Sequence, residues 1–575
     1  MNILGIFHSH SDPSAAFVRD GHVVAFVEEE RLNRVKHARG YFPSKSIGYV
    51  LDASGMTISE VDCIAQAWDC EVYDSGEMAA HYEQVNANYV TTEDDIAYQQ
   101  RHLEELSSAT QKQIVLQNLR SSFGDVEMPP IVFVKHHLAH ACMAYFDSGM
   151  NDALVFTIDG SGEWATTDVW MGKDGRLELL YEVKVPHSLG WFYAAFTEYL
   201  GFQAYDGEYK VMGLAAYGQN NAELREKVSQ VIWYDGQGGF ESDPVLLSRG
   251  GRSFSHYYPD SLIKHMGRDP RSFDEEISQW HMDLAREVQS RLETIVEEMV
   301  GYWVKRTGMR NLAVSGGVGL NVKMNGRLLR SGLIDDIFVH PLCADAGVPI
   351  GAGFALEYLN GGMGLARMEH TYLGPSYDDE QIEGVLKACK LKYSREAAIE
   401  RSVASLLAQG KVIGWFQGKM EGGPRALGNR SILADPRSVE SRNRVNAVIK
   451  FREFWRPFCP SMTPSGAERY LAKHTFAPFM TLAFESSDDA YREVPAVVHV
   501  DGSCRPQIVD AETNPRYFRL LQEFAKITGV PCVLNTSFNV KGEPIVCTPH
   551  DAIRTFSATG LDALAIGSFL LRKPN

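Results

Sequence analysis

The sequence has little that would carry it into a membrane or through a secretory pathway. None of its 575 residues falls in an apolar run of the length a transmembrane helix needs, about 18 or more. Its first residues also lack the basic stretch and apolar core of a signal peptide. We therefore expect a cytoplasmic protein with no membrane partner.

Cysteine pairs and excess positive charge are also lacking. The nine cysteines are odd in number, stand singly and form no C-x-x-C pair, which fits reduced thiols better than a zinc ribbon or a disulfide framework. Lys and Arg number 56 against 73 Asp and Glu, giving a net charge of -17. Because phosphate contacts need clustered cations, this balance argues against a general nucleic-acid partner.

The length exceeds what one hydrophobic core supports, so two domains are expected. A Gly-rich stretch at 360–364 marks a linker, and we place the boundary between 365 and 366. The segment after it alternates helical patterns with short apolar strands, as in an α/β domain. Those patterns cover helices at 378–389 and 396–409 and strands at 412–416 and 532–534.

The first domain contains a strand-turn-strand layout that occurs twice. The first copy runs from residue 3 to residue 27, and the second begins near residue 153. Each copy has an acidic residue and small residues at its first turn, which suggests a duplicated fold with two tight hairpins that could face phosphates. A long helix is predicted over 274–306, where apolar residues mostly recur at helical spacing.

Two histidines stand four residues apart where a short apolar strand gives way to an Ala-rich helical pattern. The i, i+4 spacing of His136 and His140 presents two imidazoles on one helix face, a common way to hold a divalent metal. Asp159 and Asp345 could complete the ligand set, and two His with two carboxylates would suit iron, manganese or zinc. The alternative is a helix start with capped or core-packed histidines.

A glycine-rich segment, VSGGVGLN at 314–321, follows an apolar strand and precedes a helical pattern. Such loops let backbone amides approach a phosphate or base. The segment matches neither the P-loop nor the dinucleotide fingerprint. It therefore predicts either a nucleotide cradle or only a tight strand-to-helix turn.

The C-terminal segment concentrates cations among glycine and aromatic residues, in an otherwise acidic chain. Guanidinium forks bind phosphoryl or carboxylate oxygens in pairs, and Lys adds a compact charge, so this is the chemistry of an anion site. Surface ion pairs are the alternative reading. The cations are Arg425, Arg430, Lys450, Arg452, Arg456 and Arg505, and Ser537 lies in a nearby group of hydroxyls and amides.

Together these motifs resemble the O-carbamoyltransferase family that includes the nodulation protein NodU and the carbamoyltransferases of cephamycin and tobramycin biosynthesis. The resemblance spans nearly the whole chain. It is carried by EEER (28–31), HHLAHA (136–141), EYKVMGL (208–214), SGGVGLN (315–321), GGPRALGNRS (422–431) and LNTSFN (534–539).

The resemblance implies an α/β fold in two parts. Residues 1–365 would form a duplicated actin- and sugar-kinase-like domain, similar to the tRNA threonylcarbamoyltransferase fold, that carries a metal and nucleotide site and transfers the carbamoyl group. Residues 366–575 would form a YrdC-like domain that makes carbamoyl adenylate from carbamoyl phosphate and ATP. The acceptor would be a hydroxyl of a small-molecule natural product, as in antibiotic biosynthesis.

The resemblance also implies roles for single residues. Iron, or another divalent metal, would be held by His136, His140, Asp159 and Asp345, and Mg²⁺ would accompany ATP. Carbamoyl phosphate would be held by Lys450, Arg456, Arg505 and Ser537. The nucleotide would be held by Gly162, Lys210, Gly317, Asn321, Arg425 and Arg430.

One position departs from the family pattern. The family usually has His-Asp-x-Ser in the first hairpin, and that His is the expected base on the acceptor hydroxyl, but Ser11 stands there. A serine hydroxyl cannot take a proton near neutral pH. We expect His10 to substitute; the other readings are that Asp12 acts or that the transfer activity is altered.

Two other functions share parts of this pattern. A tRNA threonylcarbamoylation enzyme would have both folds, but the net charge of -17 counts against a tRNA partner. A non-catalytic actin-like scaffold would have no use for the C-terminal cations. The acceptor is not readable from the sequence, since specificity is expected to come from loop residues within 68–123. The oligomeric state is also open, with a homodimer the commonest arrangement.

Overall fold

The computed structural model describes residues 1–8, 11–89, 91–247, 258–450, 453 and 455–573. They group into two compact units. The first comprises Met1–Phe7, Ala15–Val23 and Leu51–Arg367, and the second comprises His8–Ser14, Val24–Val50 and Met368–Asn575. The predicted division at 365/366 stays a prediction, and the second unit takes in two N-terminal segments that no linker pattern marks.

Two five-stranded sheets form the N-terminal part of the fold. The strands of the first are β1 (Asn2–Phe7), β2 (Ser14–Arg19), β3 (His22–Glu28), β4 (Cys63–Gln66) and β5 (Ile131–Phe133), in the order β3-β2-β1-β4-β5. The second has β6 (Asp152–Ile158), β7 (Ala165–Lys173) and β8 (Arg176–Lys184). After a two-stranded ribbon of β9 (Ile232–Tyr234) and β10 (Phe240–Ser242), β11 (Asn311–Ser315) and β12 (Asp336–Val339) complete it.

The second sheet repeats the topology of the first. Its order, β8-β7-β6-β11-β12, again places three consecutive strands beside two strands that arrive later in the chain. The two later strands run parallel to their neighbours in both sheets. The predicted duplication is therefore confirmed.

Helices surround these sheets and fill the connections. They are α1 (Glu29–Asn33), α2 (Ser44–Ser54), α3 (Glu71–Asp74), α4 (Glu77–Asn88), α5 (Glu93–Glu105), α6 (Ser108–Phe123), α7 (His136–Phe146), α8 (Leu189–Tyr199), α9 (Glu208–Leu214), α10 (Ala222–Ser229), α11 (Asp260–Met266), α12 (Gln279–Thr307), α13 (Val322–Arg330) and α14 (Val348–Leu359). Among the described helices, none is both long enough and apolar enough to cross a membrane.

The core of the first unit lies where α14 packs on α7 and on β1. The three elements approach closely because glycines face the contacts: a Cβ on Gly351 would stand 2.2 Å from the carbonyl oxygen of Ala139. Burial of α7 is almost complete, so its histidines cannot be ordinary surface residues. This packing fixes the position of the HHLAHA block.

The second unit is built on an eight-stranded mixed sheet. Its strands are β13 (Ser394–Arg395), β14 (Ile413–Phe416), β15 (Arg430–Ala434), β16 (Cys459–Met462), β19 (Gln507–Ile508), β20 (Cys532–Ser537), β21 (Ala563–Ile566) and β22 (Phe569–Arg572), with a separate ribbon of β17 (Phe484–Glu485) and β18 (Ser503–Cys504). The sheet order is β13-β22-β21-β14-β15-β20-β16-β19.

Seven described helices after residue 367 complete the C-terminal part of this unit, which is α/β as predicted. They are α15 (Asp379–Ala388), α16 (Ile399–Ala408), α17 (Val439–Val445), α18 (Pro464–Tyr470), α19 (Asp488–Glu493), α20 (Pro515–Thr528) and α21 (Pro549–Ala558). A π-helical turn, Asn446–Lys450, follows α17. The specific likeness to the YrdC-type fold stays a prediction of the family resemblance.

Two sequence expectations differ from the structure. The long helix begins at Gln279 rather than at residue 274, because Ser278 provides its N-cap in extended conformation. The stretch 68–123, expected to act through loops, contains the four helices α3 to α6. Buried Val72, Tyr73, Met78 and Tyr82 pack there with Trp68 and Trp164, so these helices have their own apolar cluster.

Candidate functional site

Helix α7 starts at the histidine that the sequence singles out, and a buried carboxylate caps it. Glu163 accepts the backbone N–H of His136 at 3.0 Å and that of Asp69 at 2.6 Å. A carboxylate at a helix N-terminus satisfies unpaired N–H groups and favours the helix dipole. Glu163 therefore fixes where α7 begins and which way His136 projects.

The four predicted metal ligands meet at one point in the first unit. The atoms they offer all lie within 4.8 Å of one another. Nε2 of His140 is 3.1 Å from Oδ2 of Asp159 and 3.2 Å from Nε2 of His136, and both imidazoles reach Oδ1 of Asp345 at 3.6 Å. Ligand atoms about 2.0–2.2 Å from one ion stand roughly 3–4 Å apart, so the spacing fits a single divalent cation.

The outer nitrogens of both imidazoles are hydrogen-bonded, which turns Nε2 of each ring toward the cluster. Nδ1 of His136 pairs with the carbonyl of Ala67 at 3.2 Å, and Nδ1 of His140 pairs with the hydroxyl of Ser315 at 2.8 Å. Metal-binding histidines are usually oriented by an outer partner of this kind. The intervening His137 uses both ring nitrogens elsewhere, on Thr157 and Ala165, and is a packing residue.

The charges at the cluster favour the binding of a cation. Oδ2 of Asp159 is buried and makes no hydrogen bond, while Oδ1 accepts the N–H of Gly160 at 2.6 Å. Burial lowers the pKa of His136, but the neighbouring carboxylates of Asp159 and Asp345 outweigh it and raise that pKa to about 9. The donor set therefore attracts positive charge, and a buried unpartnered carboxylate oxygen aimed at two imidazoles fits a bound metal ion.

Two of the residues assigned to the nucleotide lie against this cluster. A Cβ on Gly317 would stand 3.2 Å from Oδ1 of Asp159, and a Cβ on Gly162 would stand 3.0 Å from Cβ of His136. Neither position has room for a side chain without displacing a metal ligand. The two glycine loops and the candidate metal ligands thus form one centre.

The other two assigned residues of this unit have partners of their own. Asn321 caps α13, accepting from the N–H of Met324, and exchanges amide hydrogen bonds with Gln289 at 2.9 Å each way. The ammonium of Lys210 stands over the ring of Phe202 at 5.6 Å. Their assignment to the nucleotide stays a prediction.

In the second unit, Lys450 and Ser537 meet as the sequence predicts. Nζ of Lys450 donates to the carbonyl of Ser537 at 2.6 Å and lies 3.1 Å from its hydroxyl. It also lies 2.7 Å from Oδ1 of Asn539, an uncharged residue of the LNTSFN motif to which the sequence analysis gives no separate role. Lys450 is 6% exposed, so its charge is held by oxygens rather than by water.

Arg505 reaches the same end of the sheet. Its Nε and Nη2 lie 3.1 and 2.9 Å from Sγ of Cys459. Cys459 pairs with Asn535 across strands β16 and β20, two residues before Ser537. The sheet therefore brings Arg505 and the Lys450–Ser537 pair to one edge, although 55 residues separate the two cations in sequence.

The remaining predicted cations differ in their surroundings. Arg456 is partly exposed and pairs with Glu453 at 3.5 Å, whereas Arg452 lies outside the described residues. Arg425 is partly buried in the GGPRALGNRS loop.

Arg430 is fully buried and stacks 3.7 Å over the ring of Phe416. It donates to the carbonyls of Gln417, Gly418, Asn429 and Pro375. That geometry makes Arg430 a support of the loop, and its assignment to the nucleotide stays a prediction.

The first hairpin holds the predicted Asp12, whereas His10 lies outside the described residues. Oδ1 of Asp12 is 2.8 Å from Nδ1 of His37, which sits in a short 3₁₀ turn, Lys36–Ala38. The sequence reading missed His37, because 25 residues separate it from the hairpin. Only the tertiary structure pairs them.

Comparison with known proteins gives the family. Residues 2–354 match the carbamoyltransferase N-terminus model and residues 404–573 match the carbamoyltransferase C-terminus model. The chain is 36% identical over 572 residues to nodulation protein NolNO of Sinorhizobium fredii, covering 98% of this chain and 79% of the relative. It is 40% identical over 447 residues to nodulation protein NolO of Bradyrhizobium diazoefficiens, covering 76% and 79%.

A structural comparison adds only a loose likeness. The crystal structure of full-length HypF is 12% identical, covers 63% of this chain and 56% of that chain, and superposes with a TM-score of 0.32, which is too low to support an assignment. The two family models together span both units, and the candidate metal ligands and the C-terminal cations fall inside the matched residues. The chain belongs to the carbamoyltransferase family and is a carbamoyltransferase enzyme.

Proposed function

We propose that this carbamoyltransferase makes carbamoyl adenylate from carbamoyl phosphate and ATP and then transfers the carbamoyl group to a hydroxyl of a small-molecule natural product. The observation that carries the proposal is the pairing of Lys450 with Ser537 and Asn539 at the sheet edge that Arg505 also reaches. Such a group of fixed cations and polar donors suits a doubly charged small anion.

The adenylate step is the one that most needs these cations. Hydrolysis of carbamoyl phosphate leaves carbamate, whose oxygen attacks the α-phosphorus of ATP and expels pyrophosphate. Both partners are anions, so their approach requires positive charge held in place beforehand. Lys450 holds its ammonium through oxygens of two residues, and Arg505 turns two N–H donors to one side.

The transfer step is supported by the metal cluster. His136, His140, Asp159 and Asp345 would hold a divalent ion, for which we propose iron, and a bound ion of this kind polarises a carbonyl oxygen. Gly317 and Gly162 let the backbone of both loops lie close to the ligands, and we propose that the nucleotide part of the adenylate binds along these loops, with Mg²⁺ accompanying ATP. The backbone N–H of Gly160 holds Asp159 in place.

The test is pyrophosphate release from ATP, under anaerobic conditions with ferrous iron, with and without carbamoyl phosphate. We expect release that requires carbamoyl phosphate and falls by at least about 100-fold in Lys450→Ala, because one fixed charge at an anionic transition state is worth several kcal/mol. Lys387→Ala is the matched control, since Lys387 is an exposed lysine of the same unit that pairs with Glu383 on its own helix.

Two outcomes would overturn the proposal. Pyrophosphate release that does not depend on carbamoyl phosphate would show that the chain cleaves ATP without forming carbamoyl adenylate. Release that is unchanged in Lys450→Ala would move adenylate formation away from this cation group. ATP binding by each variant, measured separately, keeps a folding defect from being mistaken for either result.

A further inference from the structure

A buried asparagine beside the cation group of Lys450 and Arg505 has a side-chain oxygen with no hydrogen bond. Asn535 lies on β20 and is 1% exposed. Its Oδ1 is buried and makes no hydrogen bond to the described residues. Buried polar atoms are nearly always paired, because an unpaired one loses its hydrogen bonds to water without compensation. Within strands β15, β16, β19 and β20 it is the one described side-chain oxygen in this state.

The other hydrogen bonds of this side chain determine which end of its amide is the unpaired one. Nδ2 of Asn535 donates to the carbonyl of Ala426 at 3.0 Å, and a carbonyl can only accept. Nδ2 also lies 2.9 Å from the hydroxyl of Ser461, which donates to Oε1 of Gln507 at 2.7 Å. Gln507 is itself oriented, because its Nε2 donates to the carbonyl of Leu427 at 2.7 Å. Turning the amide of Asn535 over would therefore set oxygen against oxygen.

Asn535 belongs to the sheet face that carries the cation group. Side chains at alternate positions of a strand share one face, so those of Asn535 and Ser537 point to the same side of β20. Across the sheet Asn535 is paired with Cys459, whose Sγ lies against Nε and Nη2 of Arg505. Ser537 accepts a hydrogen bond from Lys450. Asn535 is therefore the neighbour of both residues that hold the two cations.

An uncharged acceptor in this place suits the amide end of carbamoyl phosphate. The phosphoryl oxygens of that molecule accept hydrogen bonds, and they are the part that arginine and lysine hold. The amino group at its other end donates two hydrogen bonds and needs an acceptor instead. A carboxylate would accept them but would repel the phosphate, whereas the oxygen of an asparagine accepts without adding charge.

We propose that Oδ1 of Asn535 accepts a hydrogen bond from the amino group of carbamoyl phosphate and thereby selects a carbamoyl donor over an acyl phosphate without that group. The inference rests on the proposed function, in which carbamoyl phosphate binds at this cation group. Acetyl phosphate is the closest comparison, because it has a methyl group in place of the amino group. A site built to pair a substrate N–H discriminates strongly against an analogue that lacks it, since the acceptor is left buried and unpaired.

Both donors can be followed through the same two steps. Hydrolysis leaves carbamate from one donor and acetate from the other; the oxygen of water becomes part of the carboxylate, and its protons go to the released phosphate and to solvent. A carboxylate oxygen then attacks the α-phosphorus of ATP, and pyrophosphate leaves with the electron pair. Pyrophosphate release therefore reports the use of either donor in one assay.

The experiment compares kcat/KM for carbamoyl phosphate with kcat/KM for acetyl phosphate, in pyrophosphate release by the full-length enzyme. The ratio of the two values cancels the concentration of active enzyme, so partial misfolding of a variant does not change it. The variants are Asn535→Leu, which keeps the volume without the acceptor, and Asn535→Ala. Asn514→Leu is the matched control, because Asn514 is also buried but its Oδ1 already accepts the N–H of Tyr517 and its Nδ2 donates to Tyr372 and Asn429.

We expect the wild-type ratio to be about 100 or more and to fall to about 5 or less in both Asn535 variants. Asn514→Leu should keep the wild-type ratio within about 3-fold. A wild-type enzyme that uses both donors equally overturns the proposal, and so does an unchanged ratio in Asn535→Leu, which would leave Oδ1 with a bound water alone. Equal loss of the ratio in Asn514→Leu also overturns it, since packing of the unit would then set the preference.

Binding of stable analogues decides the case of a variant without measurable activity. Phosphonoacetamide carries the amino group, acetonylphosphonate carries a methyl group there, and the carbon–phosphorus bond of both resists hydrolysis. In calorimetric titration the wild type should prefer phosphonoacetamide by about 30-fold or more, and Asn535→Leu should bind both within about 3-fold. Loss of both analogues in the Asn535 variants would make the residue a support of the site and overturn the proposal.

A failure of the proposed function looks different from a failure of this inference. Wild-type enzyme that releases no pyrophosphate with carbamoyl phosphate refutes the proposed function. Wild-type enzyme that releases pyrophosphate with carbamoyl phosphate and equally with acetyl phosphate keeps adenylate formation and refutes only the role of Asn535.

Discussion

At the scale of single residues, the metal cluster is defined by two imidazoles whose outer nitrogens are already committed. His140 pairs through Nδ1 with Ser315 at 2.8 Å and offers Nε2 to Asp159. Removing a ligand should therefore cost more affinity than removing the partner that orients it. A larger loss of metal affinity on removing a ligand than on removing its orienting partner would distinguish a metal site from a chance grouping of polar residues.

We predict that His140→Asn weakens binding of Fe²⁺ or Mn²⁺ by more than about 100-fold and that Ser315→Ala weakens it by about 10- to 100-fold. Anaerobic calorimetric titration of the metal-stripped protein measures both. Melting temperature in the presence of chelator should then fall for the wild type and stay constant for His140→Asn, because only the wild type has metal to lose. Equal affinities in all three proteins would contradict the site.

Arg430 shows that a cation in a functional motif can be structural. It is completely buried, and its N–H groups meet carbonyls of the loop that contains it. We predict that Arg430→Met lowers the free energy of unfolding by about 3 kcal/mol or more, since several carbonyls lose their donor at about 1–3 kcal/mol each.

Urea unfolding of Arg430→Met and Arg395→Met compares the stability lost with a buried arginine and with an exposed one. Arg395 is 67% exposed and pairs with Asp379, so its loss should cost no more than about 1 kcal/mol. Similar costs for the two variants would show that the buried contacts of Arg430 contribute little.

At the scale of elements, the turn after β11 decides how closely two strands approach. Gly316 has φ 89° and ψ 155°, a region open essentially to glycine, and a Cβ there would stand 2.2 Å from the carbonyl oxygen of Ile158. Gly308 ends α12 with φ 75°, and a Cβ there would point into open space, with no neighbouring atom within 4 Å. The two glycines differ in crowding and share a positive φ.

We predict that Gly308→Ala costs about 1 kcal/mol of unfolding free energy and that Gly316→Ala costs at least about 2 kcal/mol more. The first value is the cost of a left-handed backbone alone; the second adds a backbone region open essentially to glycine and a collision with the carbonyl of Ile158 that strands β6 and β11 cannot relieve without moving apart. Chemical denaturation of both variants measures the difference. Equal losses of unfolding free energy in the two variants would show that strands β6 and β11 move apart without a measurable loss of stability.

Elements were predicted well where a period of two or a helical period ran through them. Strands β1 to β3 and β6 to β8 agree with the predicted hairpins because alternating apolar residues and Asp-Gly turns define them locally. The sequence predicts the start of α12 five residues too early. Apolar residues continue at helical spacing before the helix begins, and only a single residue, the N-cap Ser278, marks its true start. The sequence does not reveal the helices within 68–123, two of which, α4 and α6, have little sequence amphipathicity.

At the scale of the whole molecule, the second unit draws on residues 24–50 as well as on the C-terminal part of the chain. Arg34 donates to the carbonyls of Ile545 and Pro544 at 2.6 and 2.9 Å, and Arg31 donates to the carbonyl of Gly423 at 2.8 Å. Glu28 accepts the N–H of Gly423. The EEER block of the sequence is thus a buried support of the GGPRALGNRS loop.

We predict that Arg34→Met speeds amide hydrogen exchange at 29–49 and at 540–558 together, by about 10-fold or more, and leaves α7 and α14 unchanged. Losing the hydrogen bonds to the carbonyls of Ile545 and Pro544 lowers local stability in both segments that they join. Exchange measured by mass spectrometry on the full chain tests this, with exposed Lys45→Met as the control. Acceleration confined to 29–49 would mean that the N-terminal segment is not part of the unit's cooperative structure.

The sequence by itself determined the family, the duplicated α/β plan and the residue types of both chemical centres. It did so because hairpins, helix spacing and short motifs are local, and the i, i+4 histidines already share a face. Which residues touch was decided by the tertiary structure: His37 with Asp12, Arg505 with Cys459, Asn539 with Lys450, and Arg430 with carbonyls. These contacts join distant segments through sheet register and backbone turns with positive φ, which no local pattern records.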